Sequence, residues 1–107
     1  MRMNIAVLLI TLIPPLASAG ELFGSVSDGG HALANTKIEL QIGGKKYETT
    51  TDAQGSYRLF AEEKGKGQFF ANVPPKPVSA DVFSSDHAVR YDWNIESRDG
   101  QKTLRRK

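Results

Sequence analysis

A chain of 107 residues with no cysteine and 14 basic against 12 acidic side chains has room for one domain and one modest core. The missing thiols exclude disulfide reinforcement, lipid attachment through sulfur and a cysteine nucleophile. A formal net charge of +2 names no partner by itself, and no basic strip interleaved with aromatics marks a nucleic-acid surface.

The chain opens on Met1-Arg2-Met3-Asn4, an apolar run from Ile5 to Ile13, Pro14-Pro15-Leu16 and then Ala17-Ser18-Ala19. Basic, then apolar, then Ala-x-Ala is the order of a secretory leader, so residues 1–19 are expected to be cleaved and the product to be periplasmic or secreted. The apolar run is far shorter than the roughly 20 residues a membrane-crossing helix needs, and no second run follows, so no transmembrane anchor is expected.

Downstream, alternation with a period of two dominates and no helical stripe competes with it. Leu22 to Ser27 reads as a first strand with Leu22 and Val26 inward. Asn35 to Ile42 turns Ile38, Leu40 and Ile42 one way and Lys37, Glu39 and Gln41 the other. Gly43-Gly44 then supplies a tight turn, so Lys45 to Thr51 should return antiparallel with Tyr47 facing Leu40. Thr51-Asp52-Ala53-Gln54-Gly55 is a second turn, with an acceptor side chain early and a glycine late. Ser56 to Phe60 buries Tyr57 and Leu59, and Glu62 to Gly67 reads as a charged, glycine-rich loop. Gln68 to Val73 follows with Phe69 and Ala71 inward, closed by Pro74-Pro75-Lys76-Pro77. Val78 to Phe83 is a sixth strand. Val89 to Ile95 is a seventh, with Val89, Tyr91, Trp93 and Ile95 inward. Seven short strands imply an all-β, antiparallel two-sheet sandwich over residues 20–96. Residues 97–107 are expected to form a basic tail, able at most to touch anionic surfaces weakly.

Three segments carry a family resemblance: Gly24-Ser25-Val26-Ser27-Asp28-Gly29-Gly30, Leu33-Ala34-Asn35-Thr36-Lys37-Ile38, and Thr50-Thr51-Asp52-Ala53-Gln54-Gly55-Ser56-Tyr57-Arg58-Leu59. In order and spacing they resemble the carboxypeptidase regulatory-like domain, a transthyretin-like sandwich. The segment Val82 to Asp92 and the ending Leu104-Arg105-Arg106-Lys107 resemble small stand-alone exported bacterial members of that group. The resemblance implies a fold associated with carbohydrate binding or with support of a neighbouring protein.

Catalytic signals are thin. Ser84-Ser85-Asp86-His87 collects the residue types of a triad, but neighbours in one short loop cannot line up as nucleophile, base and orienter, so a polar turn is expected. His31 and His87 have Asp28 and Asp86 nearby, too few ligands for zinc, and no calcium loop is present, so no metal or other cofactor is expected. Transthyretin-like chains include hydroxyisourate hydrolases, whose C-terminal Tyr-Arg-Gly-Ser is replaced here by Leu104-Arg105-Arg106-Lys107. The expectation is therefore no enzyme, but an envelope binding or structural module that assists a partner protein. The alternative is a carbohydrate-binding module. Either would use outward side chains, for which alternation nominates Arg58, Phe60, Phe70, Phe83, Arg90 and Asp92.

Overall fold

Side chains that alternate in character along an extended chain must segregate to its two faces, and two such layers can bury their apolar faces against each other. The computed structural model describes residues 20–107 and shows this arrangement; the expected leader lies outside the described residues. Among the described residues the strands are β1 Glu21–Asp28, β2 His31–Ala32, β3 Lys37–Ile42, β4 Lys45–Thr50, β5 Ser56–Phe60, β6 Gly65–Ala71, β7 Val78–Ser84, β8 Val89–Arg90, β9 Trp93–Arg98 and β10 Gln101–Arg106. No helix among them is long and apolar enough to cross a membrane.

One sheet runs β4-β3-β6-β7 and is antiparallel throughout. The other is organised by β1, whose first half lies between β5 and β8 and whose second half lies between β2 and β9. β10 closes that sheet beyond β9. β8 and β9 run parallel to β1, so the otherwise antiparallel sandwich has parallel pairings at the middle of one layer.

The expected inward faces are the buried ones, except that Val89 is only partly buried. Leu22 and Val26 of β1, Ile38, Leu40 and Ile42 of β3, Tyr57 and Leu59 of β5, Phe69 and Ala71 of β6, and Trp93 and Ile95 of β9 are all buried. Tyr47 pairs with Leu40 across the hairpin. At the second turn, Asp52 Oδ1 accepts from the backbone N–H of Gln54 and of Ser56, both at 2.9 Å.

Three segments depart from expectation. Gly65-Lys66-Gly67 begins β6 rather than completing a loop, because Gly67 faces inward under the β3–β4 hairpin. A Cβ there would lie 3.0 Å from the Gln41 carbonyl oxygen. The seventh strand is broken at Tyr91-Asp92, where the Tyr91 N–H donates to the Phe23 carbonyl at 2.8 Å. A Cβ on Gly24 would sit 1.9 Å from the Tyr91 oxygen, so only glycine admits this crossing. Finally, residues 101–106 are a strand and not a frayed tail. Asp99 and Gly100 take φ of 54° and 80° and turn the chain, and β10 pairs with β9 from Gln101↔Arg98 to Arg106↔Trp93.

The two layers meet through rings. Phe69 of β6 stacks on Trp93 at 5.2 Å and tilts against Tyr57 at 5.1 Å, and Trp93 stacks on Tyr91 at 5.4 Å. The Arg106 guanidinium lies 4.4 Å over the Tyr91 ring. The Tyr57 hydroxyl donates to the Tyr91 carbonyl at 2.7 Å, and burial raises its pKa. Outside the core, the β5–β6 loop is tied to β4 by the Tyr47 hydroxyl donating to Glu63 Oε1 at 2.5 Å, with Lys45 at 3.3 Å from Glu63 Oε2.

Two outcomes follow. Trp93→Ala removes the ring that joins the layers and should cost about 3–5 kcal/mol in chemical denaturation. The Tyr47 hydroxyl, foremost, holds the Glu63 carboxyl below its ordinary value. Its contribution is therefore present above the unfolded-state value and lost as pH falls through the lowered one. Amide exchange at residues 62–64 should accelerate relative to the rest of the fold as pH falls below the ordinary glutamate value, and Glu63→Gln should abolish that pH dependence.

Candidate functional site

Because Leu22 and Val26 face the core, Glu21, Phe23 and Ser25 fall on the outer face of the β1 sheet. The register sets Phe23 between Arg58 of β5 and Arg90 of β8, and sets Glu21 opposite Phe60. Phe23 and Phe60 are thus diagonal neighbours on one face, at a Cα spacing of about 7–8 Å that aromatic side chains span. Phe23 is half-buried, while Phe60 is 50% exposed.

Each flanking arginine is held by a carboxylate. Arg58 Nε lies 2.5 Å from Glu21 Oε2, and Glu21 is 1% exposed although it heads the outer face. Its backbone is fixed beside Gly20, whose N–H donates to Ser85 O at 3.0 Å and whose carbonyl accepts from Ala61 N at 2.9 Å. Arg90 Nε donates to Asp92 Oδ2 at 2.9 Å, and the Ser25 hydroxyl donates to Asp92 Oδ1 at 3.0 Å. Fixing a guanidinium before a ligand arrives removes part of the ordering cost of binding. The face therefore offers Phe23 between two aimed cations and Phe60 beside Arg58 on β5, with the charges locally balanced.

Of the six residues nominated from sequence, Arg58, Phe60, Arg90 and Asp92 come together here. Phe70 and Phe83 do not, because β6 and β7 belong to the opposite sheet. Nor do those two form one platform: the row Gln68–Asp81 runs between Phe70 and Phe83. Phe83 stands 56% exposed across from Lys66. Phe70 is half-buried and lines a furrow of about 270 Å³ with Lys37, Glu39, Gln41, Asn72 and Pro77. Gln41 Nε2 donates to Glu39 Oε2 at 2.6 Å, and Gln68 Nε2 donates to Asp81. Phe23 and Glu21 escaped the sequence reading, although the inward assignment of Leu22 already implied their outward placement.

The loop expected to be a polar turn is one. Ser85 Oγ donates to the His87 carbonyl at 3.1 Å and accepts from the His87 N–H at 3.2 Å, so these contacts run through the backbone and not the imidazole. Asp86 pairs with Lys64, which keeps its carboxyl below the ordinary range. His31 and His87 are both exposed. Among the described residues no group of three or more His, Asp or Glu side chains is placed to hold a metal ion.

No family model matches the chain, and no curated protein matches it in sequence. In structure it is similar to the 5-hydroxyisourate hydrolase of Klebsiella pneumoniae, with a TM-score of 0.59 and 14% identity, covering 82% of this chain and 98% of that one. The expectation that the chain is no enzyme is corrected by this likeness: an architecture shared with nearly the whole of a hydrolase is one on which catalysis is carried out, so the fold gives that expectation no support. The described residues adopt a transthyretin-like β-sandwich.

Proposed function

We propose that this chain is an exported envelope module of the carboxypeptidase regulatory-like kind, docking a partner protein on the outer face of the β1 sheet. Export is supported by the composition of residues 1–19, and the narrower family by the segments quoted between Gly24 and Leu59. One observation carries the docking reading: Phe23 and Phe60 share a face with Arg58 and Arg90, each guanidinium held at Nε by a carboxylate. Aromatic rings and arginine dominate the energetic centres of protein interfaces, where they pack as a patch and exclude water. Arg58 and Phe60 are exposed enough to be reached without rearrangement.

A glycan is the second reading, favoured by the furrow over Phe70. Its ring is accompanied by the amides of Gln41 and Asn72 and the carboxylate of Glu39, the groups that stack on and hydrogen-bond to a sugar.

Retention of envelope proteins and binding to a glycan array, measured in parallel, separate the two. With a protein partner, Phe60→Ala should weaken retention at least about tenfold at an unchanged melting temperature, and Phe70→Ala should leave it intact. Glycan binding abolished by Phe70→Ala, with no protein retained, would replace the docking reading. Arg58→Met should cost about 1–3 kcal/mol of stability at neutral pH, because it strips the guanidinium from the buried Glu21 carboxylate. Adding Glu21→Gln should recover part of that loss in urea titration.

A further inference from the structure

The basic residues of the C-terminal segment sit on an open sheet edge. β10 is bonded to β9 along one side only. Among the described residues, no backbone hydrogen bond joins residues 101–106 to another element on the other side. β7, the terminal strand of the opposite sheet, lies alongside it. At one end of the seam, Pro75, Pro77 and Val78 face Gln101 and Lys102 across a cavity of about 300 Å³. An unpaired strand edge is a template for another strand, and one rich in lysine and arginine is guarded against pairing with its own kind.

The distribution of charge selects the occupant. From Glu96 to Lys107 the chain carries Arg98, Lys102, Arg105, Arg106 and Lys107 against Glu96 and Asp99. The register divides these cations between the two faces of the hairpin. Lys102 and Arg106 share the face of Trp93 and Ile95, where Lys102 Nζ donates to the Pro74 carbonyl at 3.2 Å and Arg106 covers Tyr91. Arg105 lies on the other face, 3.6 Å from Glu96. A flat anionic membrane could meet only one of these faces at a time. Arg98 lies on β9 and Lys102 also lies 3.9 Å from Asp28, but Lys102, Arg105 and Arg106 all sit on the edge strand and Lys107 follows it directly, so a strand laid along β10 would place alternate side chains near each set. A second copy would set cation against cation, which destabilises cross-strand pairs.

We propose that the β10 edge takes up an acidic, extended segment of a partner protein as an additional strand, with backbone hydrogen bonds supplying affinity and alternating carboxylates supplying selection. The site lies beyond β9, across β1 from the β5 strand that carries Phe60, in the same sheet.

The test uses the processed chain and a fluorescent peptide of about eight residues alternating Glu and Thr, long enough to match a typical strand. Anisotropy should report binding that weakens with salt. Arg105→Glu with Lys107→Glu, both exposed positions, should weaken it at least about tenfold at an unchanged melting temperature, while Phe60→Ala should leave it unaltered. Amides of residues 101–106 should gain exchange protection in the complex. Binding without that protection, equal binding of a Lys-Thr peptide, or capture by anionic phosphatidylglycerol vesicles in place of the peptide would each overturn the proposal. Loss of peptide binding in Phe60→Ala would transfer the peptide to the other face.

Discussion

The sandwich depends on one contact between its layers, the stacking of Phe69 on Trp93. Phe69 is the ring that the β4-β3-β6-β7 sheet contributes to this stack, and Trp93, Tyr91 and Tyr57 belong to the β1 sheet and its crossover. With no cysteine in the chain, no covalent staple is available to share the task, and a core this small has few other large side chains to substitute. Aromatic pairs add a directional component to area burial, so they set how the two sheets lie on each other as well as how strongly. Everything on the outer faces inherits its position from this stack. Asp92 follows Tyr91 and precedes Trp93, and Arg90 precedes Tyr91, so the cation–carboxylate pair beside Phe23 is placed by rings pointing the opposite way.

The outer faces differ in how they handle charge. On the β1 sheet, each arginine is matched to its own carboxylate and Phe23 lies between the pairs. On the opposite sheet, amides and carboxylates bond laterally to each other, and Phe70 sinks into a furrow between them. The β10 edge is the place where cations outnumber their partners. Three chemically distinct surfaces thus coexist on one small scaffold, in keeping with a fold whose functions are set by its surfaces and not by its topology.

What the sequence disclosed followed the strength of its periodicity. Ile38, Leu40 and Ile42 alternate without interruption and end on a glycine pair, so the hairpin, its register and its inner face were all legible. Gly67 misled because a glycine reads as a breaker when its neighbours are polar, whereas here the missing side chain makes room for Gln41 and Ile42. β10 was hidden because only Lys102, Leu104 and Arg106 face inward, and two of those carry charges, Arg106 over Tyr91 and Lys102 on the Pro74 carbonyl. The Asp99-Gly100 dipeptide is a strong hairpin signal that the missing alternation obscured. Four of the six nominated side chains shared a face because outwardness is readable residue by residue. Which outward residues share a sheet depends on strand order, and strand order is not written in local alternation.

The strand that opens the fold is completed by those that end it. Phe23 is paired with Arg90, Val26 with Trp93 and Asp28 with Ile95, so the centre of one layer has no neighbour on that side until residues 89–95 are available. Pairings this distant in sequence form slowly and late. The central layer therefore stays unfinished on that side until residues 89–95 reach β1. Closure of this layer joins segments about 67 residues apart, so the two sheets form in a single cooperative event.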